Sequence, residues 1–300
     1  MKRISNDRGQ AAVITVMFLA TLLGAVAMVL DVGSWFREQR DTQSDADAAA
    51  LASAQALPED LGKASALASQ YLDKNVAGAG REISFSSANV RNDTVTVRVN
   101  RDAPGTFSKL FGIDSVNVHA NATARAGNPD QARYAAPIGV DIKHPLLQCQ
   151  PLPCFGTATT LDLEKVGPGA FRLINLDGSR GGTGPPILAE WIEQGFDGYM
   201  PLGWYFSDPG AKFNSSHVKG AMNLRLGDEL LFPVYDFTRE NGANFEYHVI
   251  GWVGFVVTAF DGKGNKGTVS GHFVRVIWEG IQSTSGAAED FGVRAIELVE

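Results

Sequence analysis

From Gly9 to Leu30 the chain reads GQAAVITVMFLATLLGAVAMVL, with no charge between Arg8 and Asp31. Ala11 to Leu30 is apolar apart from Thr15 and Thr21, and Gly24 is its one weak helix former. As a helix this run rises about 30 Å, the thickness of a bilayer's hydrocarbon core. The flank before it holds Lys2, Arg3 and Arg8 against Asp7; the flank after it mixes Asp31, Arg37, Glu38, Arg40 and Asp41. The excess of Lys and Arg on one side predicts a single-pass protein of the cytoplasmic membrane, N-terminus inside and C-terminus outside, with the lipid bilayer as its first partner. The competing reading is a cleaved signal peptide, since Ala25-Val26-Ala27 makes a small-x-small site. The apolar run continues past that site to Leu30, which favours a retained anchor. A buried core helix is disfavoured by the length and the one-sided basic flank.

The helical pattern does not stop at the membrane. Between Ser34 and Leu57 there is no Gly or Pro, and Pro58 follows. Val32, Trp35, Phe36, Gln39, Gln43, Ala46, Ala49, Ala50, Ser53, Ala54 and Leu57 recur at three- and four-residue steps and predict one face. Its small residues Ala46, Ala49, Ala50 and Ala54 are the candidate helix-packing face, open to close approach by another helix or by the following sheet. Residues 9–57 are therefore expected to form a transmembrane helix prolonged into a stalk, with residues 1–8 as a cytoplasmic basic flank. Gly33 leaves a kink and a separate soluble helix as the alternative.

Arg8-Gly9 before the span, Asp31 and Gly33 at its outer end, Trp35 and Phe36 beyond, and then Asp47-Ala48-Ala49-Ala50-Leu51-Ala52 stand here in order. Together they resemble the N-terminal segment of the TadE/TadG-like proteins of Flp (tight adherence) pilus assembly. The resemblance implies a membrane-anchored, outward-facing structural or assembly component of a Flp/Tad-type pilus or secretion apparatus. Its partners would be other pilus-assembly or envelope proteins, and it brings no catalytic residues. Pilin subunits cut by prepilin peptidase carry a Glu five residues after the cleavage Gly. Here that position is Ile14, so the resemblance is to an uncleaved TadG-like accessory protein.

Residues 58–126 read as an α-β-β-α-β module. Leu61, Ala64, Ala68, Leu72 and Val76 share a helix face; Val95, Val97 and Val99 alternate after an Asn92-Asp93 turn. Phe107, Leu110 and Phe111 are expected to face inward from a short helix, and Val116 to Ala124 alternate along a last strand on which His119 is exposed. Gly, Pro, Asn and Asp without periodicity make 127–137 a linker. Residues 138–300 carry short strand signals and two helical stretches, PPILAEWIEQ and SSHVKGAMNLR. They predict a β-rich extracytoplasmic domain, a barrel or sandwich with helical insertions.

Chemistry is hard to find in this sequence. The net charge of -7 argues against nucleic acid. No G-x-S-x-G, H-E-x-x-H or G-x-x-x-x-G-K-[ST] motif occurs. GSRGGTGPP (178–186) could cradle an anion ahead of a helix, but reads as a surface turn. Asp177 with Ser179 matches only part of a D-x-S-x-S metal site, because Gly181 takes the last place. DGKGNKG (261–267) reads as a hairpin turn. His144, His217, His248 and His272 are scattered, and Trp191, Trp204, Trp252 and Trp278 are expected in the core. No catalytic, cofactor-binding or metal-binding residue is assigned, and no cofactor. Cys149 and Cys154 are a disulfide candidate outside the membrane. The alternative function is a membrane-tethered surface enzyme or carbohydrate-binding module using the C-terminal domain.

Overall fold

The structure is a computed structural model that describes residues 7–75, 79–149, 153–164, 170–210, 212–239, 245–263, 266–282 and 288–299. Lys2 and Arg3 of the basic flank, Val76, Gln150 to Leu152 between the cysteines and Gly264-Asn265 of the hairpin turn lie outside these residues. The chain forms a long N-terminal apolar helix, a small helix on a sheet, and then a β-rich region with a curled sheet. It divides into two compact units, Met1–Arg125 with Leu298–Glu300 and Ala126–Glu297.

In the first unit helix α1 runs without interruption from Asp7 to Ala54. Gly33 does not break it; a lone Gly costs a helix about 1 kcal/mol relative to Ala, too little to end one with good helix formers on both sides. Its first part is long and apolar enough to cross a membrane. A tight turn through Leu57 and Pro58 leads into α2 (Leu61–Asn75), whose Ala64, Ala68 and Leu72 are buried. Strands β1 (Gly80–Ser86), β2 (Thr94–Pro104) and β3 (Ser115–Gly127) form an antiparallel meander. Val95, Val97, Val99 and Ala103 of β2 and Val118, Ala120, Ala122 and Ala124 of β3 are buried. That is the two-residue period of a sheet with one covered face. Helix α1 covers it: its last turns pack on α2 and β2, so the stalk is the spine of this unit.

The β1–β2 turn is fixed by Asp93. Its carboxylate accepts the backbone N–H groups of Ala88, Asn89 and Val90 at 2.8 Å each, while Asn92 takes φ +61°. Burial pushes this carboxyl up, but those N–H bonds outweigh it and hold it below the usual range. A depressed folded pKa contributes stability that is fully present above the unfolded value, about 4, and is lost as pH falls through the folded value. Asp93→Asn is therefore expected to lower the melting temperature at pH 7, and the gap to the wild type should shrink below about pH 4. Thermal melts of the detergent-solubilised protein across pH 2–7 read this directly; a gap independent of pH would mean the charge of Asp93 contributes nothing.

The second unit begins with β4 (Pro129–Ala132) and β5 (Val140–Asp141), then β6 (Ala158–Asp162), β7 (Ala170–Ile174), α3 (Pro185–Glu193), β8 (Met200–Pro201) and β9 (Gly203–Pro209). It continues with α4 (Ser216–Leu224), β10 (Glu229–Arg239), β11 (Glu246–Lys263), β12 (Lys266–Val274), β13 (Val276–Ile277), β14 (Gly280–Gln282) and β15 (Val293–Val299), whose last two residues are counted with the first unit. Seven strands make one sheet around β11. The path is β5-β10-β11-β12-β6, and β9, with β7 beside it, pairs with the start of β11. Register shifts at Val234 to Phe237 and at Val257 to Ala259 bend the long strands, and bulges of this kind strengthen twist and curl a sheet. Phe232, Tyr247, Trp252, Phe255 and Phe273 fill the interior. Helices α3 and α4 pack together. Pro185 and Pro186 start α3, and the Ser215 hydroxyl accepts the Val218 N–H to cap α4.

Residues 127–137, expected as a linker, are instead part of this unit. β4 pairs with β14 and β8, and Ala132, Ala135 and Ala136 belong to the core. The segment is too short and too polar to show a period, and its partners lie far along the chain. Tertiary pairing decides its state, not propensity.

Candidate functional site

The residues that the sequence singles out converge on α1. Ala46, Ala49, Ala50 and Ala54 have no exposed surface. They face α2 and β2, and the Ser53 hydroxyl between them donates to the Ala64 carbonyl at 2.9 Å. Small side chains let these backbones approach closely, and the chain's own second helix and sheet take that place.

Toward the apolar run the contact turns polar while keeping the same period. Gln43 Nε2 donates to the Asn121 carbonyl at 3.1 Å and Gln39 Nε2 to the His119 carbonyl at 2.6 Å, along β3. Glu38 pairs with Arg101 at 2.6 Å, and Trp35 Nε1 donates to the Pro104 carbonyl at 3.3 Å. The rungs end at Asp31, only 2% exposed. Its carboxylate accepts N–H groups from Thr106 (3.1 Å), Phe107 (2.8 Å) and Ser108 (2.6 Å). It thus caps the 3-10 turn Ser108–Phe111 as an anion caps a helix N-terminus. The exit Asp is therefore a clamp between the end of the apolar run and the β2–β3 connection.

Two sequence expectations are corrected here. Val32 and Phe36 lie off the packing face and are exposed; Asp31 and Thr42, which the pattern leaves off that face, are buried, as is Ser53. A hydrophobic count misses Asp31 and Thr42 because each satisfies its polar group within the unit: Asp31 on the three amides, Thr42 on the Glu38 carbonyl. Phe107, Leu110 and Phe111 do not face inward either. Leu110 is 83% and Phe111 62% exposed. The sheet face they would cover is already occupied by α1.

In the second unit the motifs resolve into structure. Asp177 accepts the Ser179 N–H at 2.8 Å in its own turn, and Asn175 Nδ2 bonds the Ser179 and Gly181 carbonyls. The Gly-rich loop ahead of α3 does cradle an anion, the chain's own Asp208. Its carboxylate takes the Thr183 N–H at 3.0 Å and the Thr183 hydroxyl, and pairs with Lys212. His144 accepts the Leu146 N–H through Nδ1 and meets Thr159 through Nε2, each at 3.2 Å. Burial first, and then Arg172, push it below the usual His range. His248 meets Asp236 at 2.7 Å, while His217 and His272 are placed elsewhere on α4 and β12. Trp191 and Trp252 are buried, and Trp278 donates to the Arg133 carbonyl at 2.7 Å. Trp204 is partly exposed, but Arg239 lies 3.5 Å from its ring centroid and His248 4.8 Å, so the ring is already engaged. Among the described residues no group of three or more His, Cys, Asp and Glu is placed to hold a metal.

Cys149 and Cys154 are joined by a disulfide, with Cα atoms 5.6 Å apart. The loop it closes is short, so the chain-entropy estimate gives about 2 kcal/mol. Cys149→Ser with Cys154→Ser should lower the melting temperature of the second unit by several degrees and leave its fold intact. Calorimetry with and without reductant checks this, and an unchanged transition would show that the bridge contributes no stability.

Residues 9–56 match the family model Tad, described as putative Flp pilus-assembly TadE/G-like. The match covers α1 from its apolar start through the turn after Ala54, the same residues that build the span, the clamp and the packing face. No curated protein and no solved structure matches the chain.

Proposed function

We propose that the protein is a non-enzymatic, membrane-anchored component of a Flp/Tad-type pilus or secretion apparatus, with its N-terminus in the cytoplasm and both folded units outside. The observation that carries this reading is the coincidence of the family match with one unbroken helix. The matched residues are at once a membrane-length apolar run and the spine of a folded unit. A helix shared in this way transmits any displacement of the anchor to the unit, as a structural part of an envelope machine requires. The basic flank before the span and the mixed flank after it support the orientation. The disulfide agrees with an oxidising compartment for the second unit.

The test is genetic and topological. Protease added to intact spheroplasts should degrade both units, and a strain lacking the gene should lose Flp-type pili until the full chain is restored. A chain whose residues 9–57 are replaced by an unrelated transmembrane helix should insert but not restore pili. Normal pili in the deletion strain, together with turnover or sugar binding by the full protein, would overturn this reading in favour of a tethered enzyme or carbohydrate-binding module.

A further inference from the structure

The β2–β3 connection presents its most apolar side chains outward. Phe107, Leu110, Phe111 and Ile113 are all exposed, whereas loops at an aqueous surface are ordinarily polar. They are aimed along α1. With Ala20, Leu23, Gly24, Val26, Ala27 and Leu30, the first three line an apolar crevice of about 470 Å³. Ala20 to Leu30 rises about 15 Å along a helix, half of a hydrocarbon core. The crevice therefore runs along about half a hydrocarbon core's length of the apolar run, with the turn as its other wall.

The backbone of the turn is built for such a medium. In lipid every N–H must find an internal partner. Asp31 takes those of Thr106, Phe107 and Ser108. Gly105 donates to Asp114, Leu110 to Phe107, Gly112 to Lys109 and Ile113 to Ser108, and the Ser108 hydroxyl closes on the Ile113 carbonyl at 3.0 Å. Two glycines permit this compact path. A Cβ at Gly105 would stand 2.8 Å from the Ile113 carbonyl oxygen, and Gly112 takes φ +83°. Lys109 is the one charge between Ala103 and Ile113, and a lysine stem can carry its ammonium up to the phosphate level.

We propose that the turn from Phe107 to Ile113 is inserted among the acyl chains of the leaflet on the side of the folded units, pinned there by Asp31. The occupant of the crevice is lipid, because the crevice wall is the membrane span itself. The insertion gives the first unit a second foothold and sets its height and rotation about α1. This rests on the reading that α1 crosses a bilayer, and its test separates the two.

The full-length protein is reconstituted in phosphatidylcholine–phosphatidylglycerol vesicles, carrying one nitroxide label at a time on Leu110→Cys, Phe111→Cys, Val26→Cys or Lys63→Cys. Leu110 and Phe111 are exposed, so labels there do not disturb packing. Electron paramagnetic resonance then reads collisions with oxygen, which concentrates in lipid, and with a water-soluble nickel chelate. Labels at 110 and 111 should resemble the label at 26, with collisions with the chelate reduced about tenfold relative to 63. If 26 is lipid-exposed while 110 and 111 meet the chelate as 63 does, the insertion is wrong and the anchor stands. If 110 and 111 are shielded from both reagents, a second copy of the chain covers the crevice and the proposal fails. If 26 itself meets the chelate, the span reading fails and takes the insertion with it.

Discussion

Ala50→Trp combined with Ala54→Trp should unfold the first unit. Both positions are fully buried against α2 and β2, one helical turn apart on the same face of α1. Each indole needs a space that only a displaced helix can give. Overpacking costs about 1–3 kcal/mol per site and occasionally more, so the pair should cost roughly 2–6 kcal/mol. A unit this small stands at the low end of the roughly 5–15 kcal/mol that holds a typical domain together, so a cost of that size is enough to unfold it. The expected result is loss of the cooperative melt of the first unit in detergent, with α1 still inserted, because the span lies more than ten residues earlier on the same helix. Limited proteolysis should cut α2 and the β1–β2 turn first. Partner association would fail as a consequence of unfolding, since in the folded chain these alanines present no surface to a partner. A double variant that melts like the wild type, yet no longer co-purifies with pilus components, would instead make the Ala face an intermolecular contact.

The legible part of this fold was the part with a strong period or a strong composition. The charge-free run declares a span by length alone. The helix beyond it is visible because Ser34 to Leu57 contains no breaker, and Val95, Val97 and Val99 declare a strand by alternation. What the sequence hid was partnership. Asp31 looks like the polar boundary of a membrane helix; nothing local says that its carboxylate is taken by amides more than seventy residues away. Phe107, Leu110 and Phe111 have the spacing of an inward helix face, and only the position of α1 on the sheet turns them outward. One signal could have found both features. A short loop with four large apolar residues, one charge and two glycines is poor chemistry for an aqueous surface, and an acid at the end of an apolar run needs donors.

The second unit shows the same division. Strands β10, β11 and β12 follow β-branched and aromatic runs that a reading of period finds, and β11 is long because EYHVIGWVGFVVTAFD is uninterrupted by Pro; β4, β5, β8 and β14 are too short to show a period. The curl of the sheet depends on register shifts at Val234 to Phe237 and Val257 to Ala259, which depend on cross-strand partners. The Gly-rich loop before α3 does hold an anion, through the Thr183 N–H and hydroxyl, but sequence gives no means of knowing that the anion is Asp208 of the same chain.

Asp31→Ala should release the β2–β3 connection from α1 while leaving both elements formed. The carboxylate is the shared acceptor for three successive amides, at 3.1, 2.8 and 2.6 Å. Bonds to an ionised acceptor are roughly twice as strong as neutral ones, and removing the acceptor leaves three donors without that partner, the costly outcome. Hydrogen exchange read by mass spectrometry on the protein in lipid nanodiscs should show the peptide spanning residues 105–113 exchanging on the order of tenfold to a hundredfold faster. Peptides from the apolar run and from β2 should be unchanged. Asp31→Asn keeps one carbonyl acceptor but loses the charge, and its amide turns a donor toward donors, so it should fall between Ala and the wild type. Asp31→Glu should not restore the clamp. Its extra methylene moves the carboxylate out of register with amides held by the closed turn from Gly105 to Ile113. If exchange at 105–113 is as slow in Asp31→Ala as in the wild type, the turn is held by its internal bonds without the carboxylate. The acid at the membrane exit would then have no role in holding the turn to α1.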